Sequence, residues 1–125
     1  MCARCPPGGY CVRCAALLAR VQGLPGAAMS EKQVQACVRE VCKRMGYLHY
    51  HTWDSRKSEP GYPDSTIIHP DGGVLWMVEI KRQGETPTLP QQRWLEALSR
   101  VERVEAAVVY PDDLAAWVER LGRRR

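Results

Sequence analysis

Gly61-Tyr62-Pro63-Asp64-Ser65-Thr66-Ile67-Ile68-His69-Pro70-Asp71-Gly72-Gly73-Val74-Leu75-Trp76-Met77-Val78-Glu79-Ile80-Lys81 reads as two strands folded about a turn. Asp64 to Ile68 and Val74 to Lys81 carry the strand formers, and Pro70-Asp71-Gly72-Gly73 between them is a hairpin signal. Strand alternation puts Val74, Trp76, Val78 and Ile80 on one face, with Leu75, Met77, Glu79 and Lys81 on the other. A register centred between Asp71 and Gly72 pairs Asp64 with Glu79, which sets two carboxylates about 5 Å apart on adjacent strands. Like charges placed this way destabilise a sheet unless something compensates. The simplest compensation is a hard divalent cation, which takes oxygen ligands and keeps waters for chemistry. Lys81, two residues beyond Glu79, then orients an attacking water or neutralises charge on a scissile phosphate.

The flanking elements extend this hairpin to an α-β-β-β-α-β order with a final helix, an α/β class. Ser30 followed by Gln33 is a capping-box start. Val34, Cys37, Val38, Val41, Cys42 and Met45 recur at helical spacing, and Gly46 closes the helix. Leu48 to Trp53 reads as the first strand. Pro90 to Val101 reads as a helix with Trp94, Leu95 and Leu98 inward, and Val104 to Tyr110 as a short apolar strand. Pro111 to Leu121 is the last helix, with Pro first, two Asp in its first turn, and Leu114, Trp117, Val118 and Leu121 facing the core. Two polar residues fall on inner faces. Glu31 precedes Val34 and Val38 on the apolar stripe of the first helix, and Gln91 precedes Leu95 and Leu98 on its own. Each also has a bland reading: Glu31 favours a positive helix N-terminus, and Gln91 is an early-turn residue in water.

The chain has 125 residues, 45% hydrophobic and 26% charged, proportions that fit one domain with a buried core and argue against wholesale disorder. The N-terminal apolar run Cys14 to Ala19 is too short for a membrane span or a secretory segment, so a cytoplasmic protein is expected. Net charge is +4, a mild bias toward polyanions, and it is unevenly spread. Residues 1–28 hold Arg4, Arg13 and Arg20 with no acid, and Gly23, Pro25 and Gly26 then read as a link. Met29-Ser30-Glu31 would also serve as a translation start. The expected division is therefore a Cys-rich segment over 1–28 and a folded domain over 29–125.

Pro63-Asp64 followed on the next strand by Glu79-Ile80-Lys81 resembles the PD-(D/E)xK nuclease motif. Adding Glu31, Gly61-Tyr62 before the Pro-Asp pair, and Gln91 before Trp94-Leu95, the stretch from 29 to 122 resembles the VRR-NUC family, the virus-type replication-repair nucleases of phage, prophage and larger repair enzymes. The resemblance implies a PD-(D/E)xK nuclease core and metal-dependent hydrolysis of phosphodiester bonds, in branched or flapped DNA such as a Holliday junction. It implies a homodimer in a bacterial or phage-infected cell. It further implies that Asp64, Glu79 and the Ile80 carbonyl bind Mg²⁺ or Mn²⁺, that Glu31 reaches the metal directly or through water, that Lys81 positions the nucleophilic water, and that Gln91 supports the site.

Cys2-x2-Cys5-x5-Cys11-x2-Cys14 lies outside that resemblance, and its paired C-x-x-C knuckles suit a structural Zn²⁺. Cys37 and Cys42 belong to the first helix's apolar stripe and read as core. His49 and His51 read as edge or surface residues, and Trp76, Trp94 and Trp117 as core. Arg56 and Lys57, in the loop before Gly61, are either phosphate contacts or a solvated pair, and Arg82 after the motif lysine joins them as a DNA-contact candidate. The functional expectation is a metal-dependent DNA endonuclease. Its alternative is a non-catalytic, zinc-containing nucleic-acid-binding module in which the α/β domain is only a scaffold.

Overall fold

The computed structural model describes residues 29–52 and 55–123. Helix α1 (Glu31–Met45) starts at the capping box that Ser30 and Gln33 predict: the Gln33 N–H donates to Ser30 Oγ and the Ser30 N–H to Gln33 Oε1. It ends at Gly46, whose φ of +80° is a left-handed cap that glycine adopts without steric cost. Its stripe Val34, Val38, Val41, Cys42 and Met45 is buried. Each such side chain contributes about 1.5–3 kcal/mol of apolar burial, which holds the helix on the sheet. Burial also pushes the Cys42 thiol up to about 12, so it stays a protonated core group.

One four-stranded sheet follows, in the order β1 (Leu48–His51), β2 (Ser65–Ile68), β3 (Leu75–Ile80), β4 (Val104–Val109). The first three strands run antiparallel, and β4 pairs parallel to β3. That parallel pairing requires a crossover, supplied by α2 (Leu89–Ser99). A short turn at Pro111–Asp113 leads into α3 (Leu114–Gly122). The core holds the α1 stripe, Ile67, Trp76, Val78, Ile80, Val109 and the α3 residues Leu114, Trp117, Val118 and Leu121. The Tyr47 hydroxyl donates to the Leu121 carbonyl at 2.7 Å and ties the α1–β1 connection to the end of α3.

Three expectations change at the level of elements. The first strand ends at His51, and Trp53 lies outside the described residues. Strand β3 is buried along both faces from Trp76 to Ile80, because the core packs on one side and α2 covers the other. Helix α2 starts earlier than Pro90, at Leu89 after a Thr88 cap, and buries no residue fully. Leu95 and Leu98 are half-buried as expected, but Trp94 is 37% exposed. Spacing of three and four keeps Gln91, Trp94, Leu95 and Leu98 on one side of the helix, but Trp94 lies at its margin, against Tyr62 rather than in the core.

Candidate active site

The β2–β3 register is Ser65↔Val78, Thr66↔Met77 and Ile67↔Trp76. The register is the one that symmetry about the turn predicts; the ladder ends at Ser65, so the expected strand start at Asp64 is one residue early, and Asp64 follows next with its charge acting on Glu79. The Ile80 N–H donates to Asp64 Oδ2 at 2.9 Å, which draws the aspartate across onto the end of β3. Glu79 is 2% exposed. Its Oε1 accepts from Gln91 Nε2 at 2.9 Å and lies 4.0 Å from Lys81 Nζ. Its Oε2 is buried with no hydrogen-bond partner. Burial first, and the charge of Asp64 second, push the Glu79 carboxyl up to about 8, with Lys81 opposing the rise.

An orphaned buried carboxylate oxygen beside a second carboxylate is costly, and a hard cation relieves it. The donor set therefore fits Mg²⁺ or Mn²⁺ on Asp64, Glu79 and the Ile80 carbonyl. Among the described residues no three His, Cys, Asp or Glu side chains converge as a metal cluster, so the carboxylate contribution is a pair. Glu31 is the first residue of α1, half-buried at the rim rather than within the buried stripe. It shares a hollow of about 260 Å³ with Gln35, His51, Asp64 and Ile80, which Glu79 does not line. That position suits reach through water better than direct ligation.

The glycine before the Pro-Asp pair has a definite physical role. Gly61 has a φ of +91°, and a Cβ built there meets the Pro90 backbone at 2.4 Å and the Gln91 nitrogen at 2.8 Å. Only glycine lets this loop lie directly on the first turn of α2. The contact seats Pro63 in the interior and brings Asp64 and Gln91 to one hollow of about 540 Å³, with Tyr50, Tyr62 and Trp94 on its wall. Asp64 thus lines both hollows. Gln91 has two jobs: its side-chain oxygen accepts the Thr88 N–H at 2.8 Å to close the α2 capping box, and its nitrogen holds Glu79.

Both histidines lie on the edge strand β1, as their edge reading expects, but neither is fully exposed: both are half-buried. His49 Nε2 lies 3.0 Å from Ser65 Oγ, to which Gln35 Nε2 also donates at 3.2 Å. Burial, then the neighbouring His51 and Arg39 charges, lower the His49 pKa. His51 Nδ1 donates to the Asp64 carbonyl at 3.1 Å, which places its proton on that nitrogen, since a carbonyl only accepts. The signal was the pairing of His51 with Ser65 in the β1–β2 register, next to Asp64.

The basic candidates differ among themselves. Lys81 is half-buried beside Glu79. Arg82 is exposed and pairs with Glu85 at 2.9 Å. Arg56 and Lys57 are exposed on a short helical turn (Ser55–Lys57) and do not line either hollow. Cys2, Cys5, Cys11 and Cys14 lie outside the described residues. Among the described residues no helix is long and apolar enough to cross a membrane.

No protein-family model and no curated protein matches the chain. A solved structure described as a VRR_NUC domain does, with 29% sequence identity and a TM-score of 0.59. The match covers 74% of this chain and 97% of that one. The shared portion spans nearly all of the other domain. The chain is thus similar in sequence and fold to a VRR_NUC domain, which supports its assignment to that nuclease family.

Proposed function

We propose that the protein is a metal-dependent deoxyribonuclease that cuts phosphodiester bonds in DNA. The observation that carries this reading is the Asp64–Glu79 pair with its orphaned Glu79 Oε2. When bound there, Mg²⁺ or Mn²⁺ supplies a positive centre that polarises a phosphate and lowers the pKa of a coordinated water. Asp64, Glu79 and the Ile80 carbonyl would hold it, with Glu31 reaching it through water. The hydrogen bonds from Ile80 N–H to Asp64 and from Gln91 to Glu79 fix the two carboxylates before any ligand arrives. Lys81 keeps an ammonium group beside Glu79, where it orients the attacking water or neutralises charge on the phosphate.

Branched or flapped DNA is the proposed substrate, with Arg56, Lys57 and Arg82 as exposed cations for phosphates outside the cut. A homodimer is proposed with it, because resolving a junction needs two cuts and the described residues hold one candidate site per chain. Structural Zn²⁺ on Cys2, Cys5, Cys11 and Cys14 rests on their spacing.

The test is cleavage of a labelled panel of single strand, duplex, flap, fork and four-way junction, with Mg²⁺, with Mn²⁺ and with EDTA. Wild type is run beside Lys81→Ala and a protein beginning at Met29. Metal-dependent cutting lost in Lys81→Ala is the expected result. Folded wild type that cuts nothing with either metal would put the non-catalytic binding module ahead.

A further inference from the structure

The hollow that joins Asp64 to Gln91 has walls unlike those of a phosphate channel. It is lined by Tyr50, Tyr62 and Trp94 together with Glu59 and Asp64, and among the described residues no lysine or arginine contributes to it. Glu59 repels a phosphate, whereas Asp64 serves the proposed metal, so the phosphate to be cut lies at the Asp64 end and the rest of this space disfavours the nucleic-acid backbone. Its volume of about 540 Å³ is that of a small-molecule pocket. Tyr62 and Trp94 meet edge to face, with ring centroids 5.1 Å apart at 79°. Whichever ring offers its edge keeps both its faces uncovered by the other. Tyr62 is 40% exposed, Trp94 37% and Tyr50 65%, an unusual outlay of aromatic surface beside a polar site. Trp94 and Pro60 also line a second hollow, of about 480 Å³, to which Arg93 and, among the described residues, no acid contributes.

We propose that Tyr62 and Trp94 form a stacking platform for one unpaired nucleobase of the DNA strand, next to the phosphate to be cut. The base enters the aromatic and acidic hollow, and Glu59 accepts from a ring or exocyclic N–H at its edge. The backbone passes along the second hollow, by Arg93, where the charge is right for phosphate. Gly61 makes the arrangement possible, because its contact with Pro90 is what brings Tyr62 against α2. Stacking of this kind tolerates any base but requires that the base be out of the duplex. The site would therefore select DNA with a single-stranded element at the cut.

This inference rests on the nuclease reading for its place beside the scissile phosphate, but its test does not need cleavage. Binding of the full chain is measured in EDTA at fixed salt, to single strand, flap and blunt duplex. Each unpaired strand carries 2-aminopurine or an abasic residue at successive positions. Trp94→Ala and Tyr62→Ala are expected to weaken single-strand and flap binding about five- to hundredfold and to abolish the 2-aminopurine quench, leaving blunt duplex unchanged. Trp94→Phe should keep most of the affinity, and one abasic position should reproduce the loss in wild type. Equal weakening on blunt duplex overturns the proposal, as does unchanged binding to every substrate. A change in sedimentation with DNA binding intact also overturns it, since these aromatics would then serve a protein contact. A wild type that binds in this pattern yet cuts nothing with Mg²⁺ or Mn²⁺ removes the nuclease reading and leaves the base site standing.

Discussion

Gln91 Nε2 donates to Glu79 Oε1 at 2.9 Å, while the same side chain's oxygen accepts the backbone N–H of Thr88. A helix cap and a candidate metal ligand are thus held by one amide. The two functions separate under mutation. Thr88→Ala removes only the cap and should cost about 1 kcal/mol in urea denaturation. Gln91→Ala also strips Glu79 of its donor and should cost about 2 kcal/mol. Gln91→Glu keeps a cap acceptor but adds a carboxylate. Calorimetric titration with Mn²⁺ should show weakened affinity in Gln91→Ala, unchanged affinity in Thr88→Ala, and no such weakening in Gln91→Glu, whose added carboxylate attracts the cation.

Glu79 makes the metal-free protein sensitive to alkali. Its carboxyl is raised from 4.5 to about 8, so between these values the native state holds a proton that the unfolded chain has lost. The stability this contributes is fully present below pH 4.5 and is lost as pH rises through about 8. In EDTA the midpoint of thermal unfolding should fall across that window, and Glu79→Gln should flatten the dependence. Divalent cations compete with the same proton, so the rise in Tm they produce should be larger above about pH 8 than near pH 6. A rise independent of pH would remove Glu79 from the ligand set.

Lys81→Ala should lower stability, because it leaves the sealed Glu79 carboxyl without the ammonium 4.0 Å away. Cleavage should fall at least about 100-fold, the scale of losing one preorganised charge at a phosphate. The variant should also hold the Glu79 proton to higher pH, since Lys81 lowers that pKa in the wild type. A pH profile of Mn²⁺ binding reads this shift directly.

Gly61→Ala and Gly72→Ala form a matched pair. Both glycines have positive φ, +91° and +86°, so both substitutions carry backbone strain of about 1–2 kcal/mol. A Cβ at Gly72 meets nothing within 4 Å, whereas one at Gly61 meets the Pro90 backbone at 2.4 Å. Gly61→Ala should therefore be the more destabilising by at least about 1 kcal/mol in denaturant melts, and it should lose cleavage, while Gly72→Ala keeps it.

Local signals carried most of the fold. The Ser30–Gln33 cap, the Val34 to Met45 stripe, Gly46 and the Pro70 to Gly73 turn each specify their element through neighbours only a few residues away. The Asp64–Glu79 juxtaposition was legible for the same reason, because a short hairpin has one register that satisfies its turn. Trp94 was misread because an aromatic near a helix's inner row looks like core when the partner surface is unknown. That His51 shares a hollow with Glu31, Asp64 and Ile80 was not legible, because these come from three separate segments.

By itself, the sequence determined the order of helices and strands, the pairing of the two carboxylates and the lysine beside them, all consequences of spacing along one short stretch. Only the tertiary structure decided that Glu79 is sealed with one oxygen unpartnered, that Gln91 reaches it from α2, and that Tyr62 and Trp94 meet at the surface. These depend on how α2 crosses from β3 to β4 and on the close approach that Gly61 permits. Both are contacts between segments distant in sequence, where burial and packing rather than periodicity set the outcome.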